Sequence, residues 1–278
     1  MLELQRNVIF GQYIDTRSLV HRLDPRIKIV SMWLFVIFSF LVELPGLLLS
    51  LPLLLMIHLI AGIDFRYILS GSRIFLIFLA VIAVFQILFY RGAFAEQNVL
   101  WEWWIVGVSV EGIFFAIMIS LRVIVLYYVV TMLMLATSLV DLTDGLELMF
   151  LPLQRIRVPV NELTLVSVIA IKFVPIFIGE LERLARAQTA RGISFEGGGP
   201  IMRARRIGRL LIPIFLSGFR RADLLTMAMD TRCYQGGANR TKLRRMQSSS
   251  ADWLVLGFVA LWLIAAWQIP NLIGWTIP

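Results

Sequence analysis

Cysteine is nearly absent: Cys233 is the only one in 278 residues, which excludes a disulfide framework and a cysteine-built metal cluster within the chain. Histidine is scarce too, and His21 and His58 lack the spacing of a zinc-protease pair. The three lysines, Lys28, Lys172 and Lys242, do not follow a glycine, so there is no phosphate-cradling loop for ATP. The Gly-x-Ser-x-Gly elbow of the hydrolases is missing as well. Charge is thin, at 16% of residues against about 25% in a soluble domain. No catalytic residue, metal site or cofactor is therefore expected in this chain.

Apolar residues, in contrast, make up 59% of the chain, with a mean hydropathy of +0.83. A soluble domain holds about 45–50%, so the sequence reads as an integral membrane protein. The first 28 residues carry Arg6, Arg17, Arg22, Arg26 and Lys28 with no apolar core among them, unlike a cleavable signal peptide. Residues 155–250 hold 17 of the 26 Lys and Arg against six acids, a net of +11 that leaves −3 for the rest of a chain totalling +8. Between apolar segments, such a block marks a cytoplasmic region by the positive-inside bias.

Five spans fit the apolar runs, at about 27–42, 46–62, 74–90, 112–136 and 253–269. Pro45-Gly46 beside Glu43 breaks the first from the second. Trp101, Trp103 and Trp104 form a loop cluster of the kind found at membrane interfaces. Arg122 is the main intramembrane charge, too little for an ion pathway, and His58 reads as a satisfied polar residue near the inner end of span two. With the N-terminus inside, every loop obeys the charge rule. Leu163–Gly179 is apolar enough for a sixth span, but Lys172 lies in its middle and a crossing would strand Arg183–Arg209 outside. It is expected to lie along the membrane face or against other helices. The organisation is thus an N-terminal cytoplasmic segment (1–28), helices one to four (29–136), a cytoplasmic helical domain (137–250) and a last span (251–278). The fold class is all-α.

Thr143-Asp144-Gly145 is expected to open a short helix that stops at Pro152. Two long amphipathic helices follow, at about 161–190 and 202–232, separated by the linker Glu196-Gly197-Gly198-Gly199-Pro200. They resemble each other. Phe173-Val174-Pro175-Ile176-Phe177 matches Leu211-Ile212-Pro213-Ile214-Phe215, and Ala187-x-x-Ala190-Arg191-Gly192 matches Ala228-x-x-Thr231-Arg232-Cys233. Each copy puts an arginine at a C-terminal helix tip. A cation there gains about 0.3–1 kcal/mol from the helix dipole, but a duplicated tip with matching flanks suggests two similar sites on a partner, or one site on each of two similar partners. At the other end of the chain, Asp24 suits an N-cap and Pro25 a first helical position, with Arg26 and Lys28 snorkelling to the lipid surface.

These fragments, in order, resemble the transmembrane (T) component of energy-coupling factor (ECF) transporters, over nearly the whole length. They are Gly11-Gln12-Tyr13 with Ser18–Lys28 (including Asp24, Pro25 and Arg26), Thr143–Glu147 with Leu151-Pro152-Leu153, Ala187–Gly192 and Ala228–Tyr234. The resemblance implies a subunit that couples two cytoplasmic ABC-type ATPases, which would carry ATP-Mg, to a small substrate-binding S component for vitamin uptake. The long helices are then coupling helices. Their tips, Ala190-Arg191-Gly192 and Thr231-Arg232-Cys233, would dock in ATPase grooves, the planar guanidinium suiting bidentate pairing with carboxylates. Thr231 and Cys233 depart from the family's small Ala and Gly.

The same family also includes cobalt and nickel importers, in which metal selection lies on other subunits. An intramembrane lipid enzyme would need more acid–base groups than Glu102, Glu111 and Arg122. A nucleic-acid binder would need one basic face, whereas Arg183 and Arg186 alternate with Glu180 and Glu182. Membrane lipid and protein subunits, with no nucleic acid, are the expected partners.

Overall fold

The computed structural model describes residues 13–14, 16–89, 99–103, 106–192, 199–236 and 248–273. Gly11, Gln12, Arg91, Glu96, Trp104, residues 196–198 and the basic residues 240–245 lie outside them. The chain forms two compact units, one of residues 11–145 with 246–278 and one of 146–245 with 1–10.

In the first unit, α1 (Leu19–Arg22) leads into α2 (Pro25–Leu41), α3 (Leu44–Ala61) and α4 (Phe65–Phe89). A hairpin of β1 (Val99–Trp103) and β2 (Val106–Ser109) connects to α5 (Val110–Ala136), then to α6 (Leu139–Phe150), and α9 (Ser250–Ile273) closes the unit. The hairpin replaces the plain loop expected around the tryptophans: Glu102 pairs with Gly107 and Trp103 with Val106. As expected, Asp24 caps α2, its Oδ1 accepting from the Arg26 N–H at 2.9 Å, with Pro25 at the first helical position.

Two helix boundaries differ from those expected. Pro45-Gly46 does not break the chain; the turn is Val42-Glu43, and Pro45 sits in the first turn of α3, where no N–H is missed. Gly46 instead admits a neighbour, because a Cβ there would meet the Val42 side chain and lie 2.9 Å from the Ala266 carbonyl of α9. Thr143-Asp144-Gly145 does not open α6. Ser138 does, its Oγ accepting from the Asp141 N–H at 3.1 Å and donating to the Asp141 carboxylate at 2.7 Å.

Phe35, Phe38, Leu47, Leu53, Val125, Val129, Val259 and Leu263 bury one another where α2, α3, α5 and α9 converge. The polar groups of this bundle serve helix ends. Arg122 Nη2 donates to the Val42 carbonyl at the end of α2, at 2.7 Å, placing a cation where the helix dipole is negative. Lys28 does not snorkel. Its Nζ donates to the His21 and Ala136 carbonyls at 3.1 and 2.9 Å, since the last carbonyls of α1 and α5 have no helical partners. His58 is not satisfied as expected: its ring lies beside Phe65 and Tyr128, and its buried Nδ1 has no hydrogen-bond partner among the described residues.

The second unit contains the end of α6, a 3₁₀ turn (Leu151–Ile156), α7 (Val160–Ala190) and α8 (Pro200–Asp230). The two long helices run antiparallel. Phe177 packs on Gly218 and Glu180 pairs with Arg221 at 3.8 Å, whereas the earlier residues 165–172 line one groove with the later residues 225–236.

Five helical stretches among the described residues are long and apolar enough to cross a bilayer: α3, residues 71–89, α5, α7 and residues 250–269. The 17 residues of α2 stand at the lower limit of spanning length. The protein is an all-α integral membrane protein with one small hairpin.

Candidate functional site: two arginine-bearing helix tips

At the end of α7, the Arg191 N–H donates to the Ala187 and Gln188 carbonyls at 3.3 and 3.1 Å, and the Gly192 N–H to Thr189 at 2.9 Å. Gly192 takes a left-handed φ of 86°. At the end of α8, the Cys233 N–H donates to the Asp230 carbonyl at 2.9 Å and the Tyr234 N–H to Met229 at 3.1 Å, with Cys233 at φ 57°. At the α8 tip this pair of bonds closes the helix in the Schellman manner. The α7 tip shares the bond from the left-handed residue back to the third residue before it, and in both tips arginine immediately precedes the left-handed residue. Cys233 keeps the geometry that Gly192 adopts without steric cost.

Ala190, Arg191, Gly192, Thr231, Arg232 and Cys233 are all exposed. Neither Arg191 nor Arg232 forms an ion pair with a described residue. Other arginines of these helices do: Arg183 with Glu180 at 3.6 Å, Arg186 with Glu182 at 3.9 Å and Arg221 with Glu180 at 3.8 Å. Arg221 ties α7 to α8 and is no ordinary surface arginine. No described residue accepts from either tip guanidinium, whose five donors suit an external carboxylate. Because α7 and α8 are antiparallel, their C-terminal tips lie at opposite ends of the pair. A helix of 31 residues is about 46 Å long at 1.5 Å per residue, so one compact acidic patch cannot engage both.

The Asp24-Pro25-Arg26 and Thr143–Glu147 fragments come together. A Cβ on Gly145 would stand 3.0 Å from Pro25 Cβ and 3.4 Å from Ile29 Cδ1, so α6 crosses the start of α2 at a position only glycine fits comfortably. Asp24 is buried and Arg26 Nε lies 3.6 Å from its Oδ1. This signature is built into the first unit as packing, away from the tips in sequence.

Lys172 was visible in the sequence only as an obstacle to a membrane crossing. In the structure it faces the groove beside Arg232. The signal was its place on the stripe Leu165, Val168, Ile169, Lys172, which the helical period puts on one face.

The cobalt transport protein family (CbiQ) matches residues 16–243. Relatives named energy-coupling factor transporter transmembrane protein EcfT align over most of their length. That of Thermosediminibacter oceani is 34% identical over 271 residues, 97% of this chain and 100% of that one. Those of Heliobacterium modesticaldum and Lactococcus lactis subsp. cremoris are 38% and 36% identical, each over 90% of this chain and over 92% and 93% of their own. The family match runs from ahead of Asp24 to beyond Arg232 and takes in α1 to α8 with both tips, the relatives align over 90–97% of the chain, and the chain belongs to the CbiQ family as the transmembrane (T) component of an energy-coupling factor transporter.

Proposed function

We propose that the protein is the coupling subunit of an ATP-driven importer, transmitting work from two cytoplasmic ABC-type ATPases to a substrate-binding S component. The observation that carries this reading is the pair of matched, exposed, unpaired arginines on two antiparallel helices. Two like docking points at opposite ends suit two like partners. Each ATPase presents carboxylates to one tip, so that closure of the ATPase pair on ATP-Mg moves α7 against α8. The Arg221–Glu180 ion pair and the Phe177–Gly218 contact give that movement a fulcrum. In this reading ATP is hydrolysed on the partners, and this chain is not itself an enzyme.

The membrane arrangement that fits this role has the N-terminus in the cytoplasm and spans formed by α2, α3, α4, α5 and α9. It keeps α7 out of the bilayer core despite its length, because Lys172 at its middle shares a groove with Arg232, and two uncompensated cations are costly in hydrocarbon. The transported solute is a vitamin held by the S component. Uptake of cobalt or nickel is the second reading, favoured by the description of the matching family as cobalt transport proteins; both assign solute recognition to another subunit.

Purification of the tagged chain from its native membranes tests the proposal. Two ATPase chains and one small membrane subunit should be retained, with solute uptake lost on deletion of this chain. Recovery of the chain without any ATPase would contradict it.

A further inference from the structure

We infer that the groove beside the α8 tip is a second docking element, in which Lys172 acts with Arg232 to hold an acidic segment of one ATPase partner. This rests on the coupling reading above and goes beyond it, because it assigns Lys172 and makes the two tips unequal.

The groove has a volume of about 670 Å³, and α7 and the end of α8 wall it. Lys172 stands on the α7 side and Arg232 on the α8 side, and no acidic residue is among the described lining residues. Both cations are exposed, and neither forms an ion pair with a described residue. Val168, Ile169 and Met229 supply apolar walls between them. Elsewhere on these helices Arg183, Arg186 and Arg221 are neutralised by Glu180 and Glu182. Two cations left without acids around one apolar cleft call for an occupant of opposite charge that also has an apolar side chain to insert. A partner segment carrying carboxylates beside an aliphatic or aromatic residue has that chemistry. It would meet a planar arginine fork and a flexible ammonium, an arrangement favouring more than one carboxylate oxygen. Position 210, which the repeat makes equivalent to Lys172, is leucine, so the lysine is not repeated and the two tips are unequal in this respect.

The test uses the full chain in lipid nanodiscs and the ATPase pair that co-purifies with it. Lys172→Met should weaken binding about three- to tenfold, as for a partly solvated charge pair. Lys172→Glu should weaken it by well over tenfold, while Lys172→Arg stays within about twofold and serves as the folding control. Combined with Arg232→Ala, Lys172→Met should add less than its separate effect; combined with Arg191→Ala, the effects should multiply. Cys233 also lines the groove, so its thiol should react with a maleimide in the free chain, be shielded by the wild-type complex and react again in Lys172→Glu. Binding within twofold of wild type for Lys172→Glu, with Cys233 still shielded, would overturn the inference. If Arg232→Ala still weakened binding, the coupling reading would survive. Loss of binding in none of the variants would remove both. Shielding of Cys233 in nanodiscs before any ATPase is added would identify lipid as the occupant and also overturn the inference.

Discussion

Arg191 and Arg232 reach the same backbone situation from different neighbours, and the difference is testable. The residue after each arginine is left-handed, a conformation that costs an L-residue about 1–2 kcal/mol and glycine almost nothing. Gly192 meets the requirement; Cys233, at φ 57°, does not. Cys233→Gly should therefore raise stability by about 0.5–1 kcal/mol, after allowing for the greater freedom of glycine in the unfolded chain. A thermal melt of the purified protein measures this, and a lowered transition temperature would show that Cys233 makes contacts a glycine cannot replace. The tips were legible in the sequence because a duplicated motif announces itself by spacing. Lys28, Arg122 and His58 were not. Their partners are the carbonyls of His21, Ala136 and Val42 and the rings of Phe65 and Tyr128, which only helix packing brings within reach.

Among the elements, α7 carries the sharpest conflict between composition and position. It is long and apolar enough to span, yet it pairs with α8 through Glu180–Arg221 and Phe177–Gly218 and exposes Lys172 to a shared groove. Cysteines placed at the exposed positions Thr189 and Gly199, on a Cys233→Ser background, should resist an impermeant thiol reagent in intact cells and react after permeabilisation. Reaction in intact cells would mean that α7 crosses the membrane. Helix existence was clear from the apolar runs. Helix starts were less so: Ser138 rather than Thr143 opens α6, and Pro45 lies inside α3 rather than before it. A proline or glycine signals a nearby boundary, but the capping bond decides which residue forms it. The β1–β2 hairpin escaped notice because its tryptophans fit an interfacial loop equally well.

The whole molecule joins a helical membrane bundle, in sequence, to an antiparallel pair of long helices with an arginine at each C-terminal tip. The bundle and the repeat could be read from residue pattern alone, since hydrocarbon thickness and helical period leave their lengths in the sequence. The pairing of α7 with α8 could not, because it brings the Phe177 ring against Gly218 and Arg221 to Glu180, residues far apart in sequence. Coupling is the claim on which this account turns, and ATPase retention by tip variants tests it most directly. Truncating one member of a docked charge pair commonly costs about 2–5 kcal/mol, because the other is left unpaired. At equal membrane levels, Arg191→Ala and Arg232→Ala should each retain less ATPase than wild type, and the double variant none. Arg220→Ala, an exposed arginine on α8, should retain the full amount. Wild-type retention by the Arg191/Arg232 double variant would contradict the account.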